Sequence, residues 1–461
     1  VWELNRKFKS YFYLLLGLVF IIALVACSGE DENVVNDNSE ASEENDTSEN
    51  NTNDNANEPS ESEEEVTLDI FSWRSGDTEE FDQIISKFNE EYPNININFD
   101  PTTAPEYDSA LNTQLSTDTG ADIFFVRPFA LGKNIYEAGH LEVITGEDIE
   151  SINNIADIQK DIYTSDDGNL YAVPFNYVSY GFLYNKTMFD ENGWEEPNTW
   201  DEFFELLEEI QSENITPLSL GTADAWVVDE IVASGFYPSF VGGEDWRLGA
   251  IDGDNKLTDS EYVSFLENLT KWPEYMPNNF EGIGYVDALQ FFMAEKAAIW
   301  VTGSWALTDI DMDEIDFELD MFASPVVNEG DKRWVGFNGG AGLGINPKSE
   351  HIDEAKVFLN WLMSDTAQSM IVNLLPGQFP VSDIPEDLIE SEVNKKWLEV
   401  GGENGENYAT GLAFDVFNGG DPTLGTLQIE NITALLNGDL SPQETAENIQ
   451  TGLETWYEPF Q

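Results

Sequence analysis

The sequence predicts an α/β fold, and three observations predict it. Runs with a two-residue apolar period alternate with runs at helical spacing. Five of them, in the order strand, helix, strand, helix, strand, fall within about 60 residues, which argues for parallel strands joined by helical crossovers. The composition, 41% hydrophobic and 13% aromatic, suits a large packed core and is too apolar for a disordered chain. A length of 461 residues allows two or three domains of roughly 100–200 residues each.

Residues 1–27 stand apart from that fold. Arg6, Lys7 and Lys9 form a basic start, and Tyr11 to Ala26 is an almost unbroken apolar run of 16 residues. A membrane-spanning helix needs about 20 residues, so the run reads as an export signal. It stops at Leu24, Val25, Ala26 and Cys27, the only cysteine of the chain. Small residues ahead of a thiol resemble the lipobox of bacterial lipoproteins. That resemblance implies cleavage before Cys27, acylation of its sulfur and new amine, and a lipid-anchored body on the extracellular face of the membrane. Residues 28–65 follow with 15 acids, no Lys or Arg and hardly an apolar side chain. Such a segment cannot bury surface. It reads as a disordered acidic tether with a reach of roughly 35 Å.

From Val66 the body begins. Val66 to Trp73 alternates like a strand, and Phe81, Ile84, Ile85 and Phe88 recur at helical spacing until Tyr92-Pro93 closes the run. Ile95 to Phe99 alternates again, Tyr107 to Leu115 suits a helix, and Ala121 to Val126 a buried strand. Later helices are expected over Trp200–Gln211, after Asn198-Thr199, and over Ile352–Met363, after Pro347. Ser441, Pro442 and Glu444 place an N-cap, a first-turn proline and a capping-box glutamate ahead of Ile449 and Leu453. No internal repeat is visible.

Charge narrows the functions. The chain has 90 Asp+Glu against 19 Lys+Arg, and the part from Val66 onward holds 74 acids against 16 bases, a net charge of −58. Phosphate backbones would be repelled, so no nucleic-acid partner is expected. Such acidity suits a halophilic or alkaliphilic exterior, where salt screens repulsion within a few ångströms. One Cys and two His leave no internal disulfide and no Cys/His zinc site. No cofactor, no metal and no catalytic residue is expected.

Several blocks carry a wider resemblance. They are Asp167 to Phe175; Phe182 to Lys186 with Phe189, Asn192 and Gly193; Pro197 to Phe203; Phe292 to Trp305; Gly340 to Pro347; Glu354 to Trp361; and Leu436 to Glu444. In this order and spacing the chain resembles the family-1 extracellular solute-binding proteins, the maltose-binding-like sugar receptors of ABC importers, over nearly all of Val66–Gln461. The resemblance implies a two-lobed, type II periplasmic-binding-protein-like fold with three hinge crossings, near Asn176–Ser179, Trp334–Gly340 and Pro380–Ile384. Lobe 1 would comprise 66–176 and 340–382, lobe 2 177–339 and 383–461. It further implies a monomer that closes around a sugar or oligosaccharide and presents it to the membrane subunits of an importer.

Sugars offer apolar C–H faces to aromatic rings and hydroxyl rims to polar side chains. Trp73 and Arg74 follow the first expected strand, and Arg127 follows the third, at strand ends where open α/β sheets bind ligands. Trp305, in the Thr302 to Trp305 turn, and Trp226, after Gly221 to Ala225, match the family's stacking platforms. Asn176, Tyr177 and Tyr180 lie at the first crossing, Asn338 and Gly340 at the second. Where many relatives carry an aromatic, this chain has Ala341, which removes one platform. The alternative for the arginines is pairing with a nearby carboxylate, and for Trp305, Asn176, Tyr177 and Tyr180 it is packing.

Other motifs fail on their chemistry. The Gly340 to Gly344 run is followed by Ile345-Asn346-Pro347 instead of a third glycine and a helix start. The Asp252 to Leu257 run lacks the calcium loop's glycine and has Val263 where a bidentate Glu belongs. The Asp309 to Asp316 run reads as a solvated face. The alternatives are a surface glycoside hydrolase or lyase using two carboxylates, and a receptor for a polyol, a glycerol phosphodiester or a compatible solute.

Overall fold

The computed structural model describes residues 65–461, apart from 311, 313, 383, 403, 404 and 413–415. The segments expected to be an export signal and a tether, with Cys27, lie outside the described residues up to residue 64. Nine strands are described: β1 (Val66–Ser72), β2 (Ile95–Pro101), β3 (Ile123–Val126), β4 (Val173–Asn185), β5 (Thr216–Ser219), β6 (Ala297–Gly303), β7 (Leu319–Phe322), β8 (Val335–Ile345) and β9 (Tyr408–Thr410). They hydrogen-bond in the order β2-β1-β3-β8-β4-β6-β5, with β7 added to β4 and β9 to β8.

The expected alternation is present, with one correction. β1 runs parallel to β2 and β3, joined by α1 (Thr78–Glu91) and α2 (Ala104–Ser116). β8, however, is antiparallel to both β3 and β4, so the sheet is mixed. No crossover helix joins β8 to β3, because more than two hundred residues intervene and β8 enters from the opposite direction.

β4 is the long element. All 13 of its residues are buried. Val173–Ser179 pair with β8, whereas Tyr180–Asn185 pair with β6 and β7. The strand therefore changes partners between Ser179 and Tyr180. Ser304 fastens that point: its N–H donates to the Ser179 carbonyl (2.8 Å), its Oγ accepts from the Ser179 N–H (3.2 Å) and donates to the Gly377 carbonyl (2.6 Å). Gly377 has φ +78°, and a Cβ there would lie 1.8 Å from the Ser304 carbonyl oxygen, so only glycine allows this approach.

Two buried clusters fill the body. Around β1 and β3, α1 turns Phe81, Ile84, Ile85 and Phe88 inward. Phe81 stacks on Phe99 at 4.3 Å, and Phe88 meets Phe358 and Trp361 of α3 (Ile352–Leu362) edge-on. Around the second half of β4, Phe182 packs against Phe203, Phe236 and Phe322 at 4.8–4.9 Å, with Trp200 and Trp272 beyond. The helix starting at Trp200 opens with a capping box in which the Glu202 N–H donates to Thr199 Oγ1 and the Thr199 N–H to Glu202. The Ser441–Glu444 box and Pro442 start the last long helix in the same manner.

Candidate functional site

The site is assembled from strand ends and from the turns that follow them. Trp73 and Arg74 come directly after β1, and Arg127 directly after β3, at the C-terminal ends of two parallel neighbours. The Arg127 guanidinium lies over the Trp73 ring, 4.7 Å from its centroid, and its Nε donates to both carboxylate oxygens of Asp108 at 2.9 and 3.1 Å. Trp73 is wedged edge-on between Tyr107 and Phe125. Arg74 Nε stands 2.5 Å from Asp77, an ion pair out of hydrogen-bond alignment. Burial pulls the Arg74 guanidinium below its ordinary range, with Asp77 and more distantly Asp309 opposing.

A second group forms around the end of β6. Trp305, half-buried, meets Tyr180 edge-on at 5.6 Å and donates its indole N–H to the Tyr285 hydroxyl at 2.9 Å. That hydroxyl donates in turn to Asp309 (2.7 Å), and the Tyr285 N–H to Asp224 (2.7 Å). Trp226 lies 4.9 Å from the Tyr285 ring and 6.3 Å from Trp305, and 37% of its surface is exposed. Gly303 lets this happen, since a Cβ there would sit 1.9 Å from the Trp305 ring. Three aromatic faces thus form an open platform held by polar partners.

The two groups are electrostatically coupled. Burial raises the Asp309 carboxyl, though the residue as a whole is exposed. Tyr285 lowers it, Asp77 raises it further, and Arg74 opposes. Glu230, on a π-helical turn spanning Val227–Ser234, is pushed up to about 7 by burial and then by Asp229, with Arg127 opposing. Burial also pushes Asp229 to about 6. Tyr180 is fully buried beside Glu230, and Asn338 lies against its hydroxyl without a hydrogen bond of normal geometry.

The sequence-predicted residues therefore divide. Trp73, Arg74 and Arg127 come together, as do Tyr180, Trp226, Trp305 and Asn338. Asn176 and Gly340 pair with each other at the crossing: the Asn176 amide fills the space a Gly340 Cβ would need and bonds Gln378. Tyr177 packs among Phe337, Phe379 and Tyr408 and borders a separate cavity of about 530 Å³ lined by Gln159, Ser382 and Lys395. Sequence reasoning missed Tyr285, Asp309 and Glu230. A tyrosine at a helix start and acids in a chain with 90 of them give no local signal. Among the described residues no cluster of His, Cys, Asp and Glu suits a metal ion.

Residues 74–369 match the family of bacterial extracellular solute-binding proteins. The chain belongs to that family. Among relatives of this solute-binding protein, the multiple sugar-binding protein of Streptococcus mutans is 28% identical over 70% of this chain and 77% of its own length. An uncharacterized ABC transporter extracellular-binding protein of Pyrococcus horikoshii is 27% identical over 54% of this chain and 59% of its own. In three dimensions the solute-binding protein is similar to a chitin oligosaccharide binding protein (TM-score 0.68, 21% identity, 85% of this chain and 99% of the other). It is also similar to RafE from Streptococcus pneumoniae (TM-score 0.69, 20% identity, 86% and 98%). The fold is accordingly the two-lobed type II periplasmic-binding-protein fold, and the relatives named are binding proteins.

Proposed function

We propose that this protein captures a sugar or oligosaccharide by hinge closure and delivers it intact to an ABC importer, catalysing nothing. The observation that carries this reading is the group of Trp226, Tyr285 and Trp305, whose hydrogen-bonded partner Asp309 lies within electrostatic reach of Arg74, next to the Trp73–Arg127 pair at the strand ends. Flat faces with flanking donors and acceptors suit the C–H faces and hydroxyl rim of a pyranose. The sugar-binding relatives support it. In this reading Trp73, Arg74, Arg127, Tyr180, Trp226, Trp305 and Asn338 contact ligand, while Asn176, Tyr177 and Gly340 shape the hinge. Residues 66–176 with 340–382 form one lobe, and 177–339 with 383–461 the other. The partner change within β4 and the Ser304–Gly377 contact support crossings there. Closure of two lobes about such crossings is a hinge motion, and the importer reads the closed form.

Calorimetric titration with malto-, cello-, xylo- and galacto-oligosaccharides, with the sugars recovered and weighed by mass spectrometry, tests the reading. Tight binding of one intact sugar is expected; turnover of the sugar would refute it. Acylation at Cys27, an acidic tether over 28–65 and a monomeric receptor on the extracellular face of the cell membrane complete the proposal. Cys27→Ala should shift the protein from the membrane to the soluble fraction with ligand affinity unchanged. Retention on membranes would defeat the lipid-anchor assignment.

A further inference from the structure

The cavity of about 530 Å³ beside Tyr177 stands apart from the aromatic platform. Successive residues of a strand face opposite sides, so Tyr177 and Tyr180, three apart on β4, point away from each other. Tyr180 meets Trp305, whereas Tyr177 borders the cavity, and no residue of the platform lines it. Three segments distant in sequence close around it. They are the short helix Asp157–Asp161 with Gln159, the chain bridged at Phe379 to Tyr177 and at Ser382 to Ile155, and the helix Glu392–Val400. The volume falls in the range of small-molecule sites, roughly 300–1,000 Å³.

The wall combines apolar surface with a few polar atoms. Val381, Ile384, Ile389 and Leu398 supply aliphatic surface. Gln159 is only 6% exposed, yet its Oε1 has no hydrogen-bond partner, and neither has the buried Oγ of Ser382. Among the described residues these are the two such atoms on this wall. An amide oxygen only accepts, whereas a hydroxyl donates or accepts, and the broad terminal torsion of glutamine lets the oxygen turn toward the cavity. Leaving such atoms unpaired is costly, so a fitting ligand brings a donor for Gln159 and a hydroxyl for Ser382. No charged group on the wall awaits a counter-ion: Lys395 is paired with Glu392 at 2.7 Å, and Glu386 and Glu399 are exposed to solvent.

We propose that this cavity is a second ligand site, distinct from the sugar cleft, and that it takes a small neutral polyol with one apolar face. One hydroxyl donates to Gln159 Oε1, a neighbouring hydroxyl pairs with Ser382 Oγ, and the C–H face packs on Ile384, Ile389 and Leu398. The assignment does not depend on which solute the cleft carries.

The test is methyl NMR of the full chain, with isoleucine δ-methyls labelled, at neutral pH. The probes are a cyclohexanediol with hydroxyls on neighbouring carbons, cyclohexanecarboxylate and cyclohexylammonium, which share one apolar body. The diol should shift the Ile384 and Ile389 signals saturably, with a dissociation constant of about 1 mM or tighter. Each ion should bind at least about tenfold more weakly, since its charge finds no partner. Gln159→Leu, which removes the acceptor, should weaken the diol about fivefold or more. Leu398→Trp should abolish the shifts by filling the space. Unchanged signals from Ile84 and Ile432, both fully buried in the two clusters, report that the variants are folded. Trp226→Ala should leave diol binding unchanged. Absence of saturable shifts at the two methyls overturns the site, and so does binding that survives both cavity variants. Ions that bind as tightly as the diol overturn the neutral-polyol assignment. Diol binding lost with Trp226→Ala would place the probe in the cleft and overturn a separate site.

Discussion

Replacing Glu230 by Gln tests the electrostatics of the cleft without a ligand. Burial and Asp229 push the Glu230 carboxyl from an ordinary value of 4.5 to about 7. The unfolded chain releases this proton near the ordinary value, so over the intervening range the folded protein binds it more tightly. Glu230 therefore supports folding fully below about pH 4.5, and that support is lost as pH rises through about 7. At about 1.36 kcal/mol per pH unit, the loss is roughly 3 kcal/mol by pH 8, of which most falls between about pH 5 and 8. Glutamine keeps the shape and lacks the titration. Urea unfolding of both proteins at half-unit pH steps should show the stability difference changing by about 2 kcal/mol across that window, with the wild type losing ground at high pH. Asp229, raised to about 6 and coupled to Glu230, titrates in the same window, so Asp229→Asn is introduced in both backgrounds; the other acids are shared and cancel in the difference, and removing the attraction to Arg127 shifts the variant's curve without tilting it. Parallel curves would refute the argument that Glu230 is buried and charged with difficulty.

Three further outcomes are expected. Trp226→Ala should weaken ligand binding by about 1 kcal/mol or more in calorimetry while moving apo stability by less than about 0.5 kcal/mol, since its ring is substantially exposed. Trp272→Ala should do the reverse: it is fully buried against Phe182, Phe203 and Phe236, and its loss should cost about 3–5 kcal/mol in denaturant unfolding. Gly377→Ala sets a side chain at φ +78° against the Ser304 carbonyl, and should lower stability by about 2 kcal/mol or more and alter the closure detected by small-angle scattering on adding ligand.

Much of this protein was determined by its sequence alone, wherever the signal is local. Period-two spacing placed β1 and β2, helical spacing placed the intervening helices, because burial of one face imposes that spacing on the chain itself, and a short continuous apolar run placed β3, whose residues are buried on both faces. The Ser441-Pro442-Glu444 start is equally local, since its hydrogen bonds close within three residues. Trp73 and Arg127 were legible because they sit just past strands that could be read. Tertiary structure alone decided the rest. The antiparallel entry of β8 depends on where a distant segment docks, which no local period encodes. Tyr285 joins the platform only because Trp305, 20 residues away, hands it a hydrogen bond, and Asp309 and Glu230 differ from the chain's other acids only in what surrounds them. Tyr177 and Tyr180, neighbours on one crossing strand, end in different surroundings, one among Phe337, Phe379 and Tyr408, the other against Trp305. Burial and electrostatic environment are sums over the whole fold, so residues of the same type acquire their roles only once the chain has closed around them.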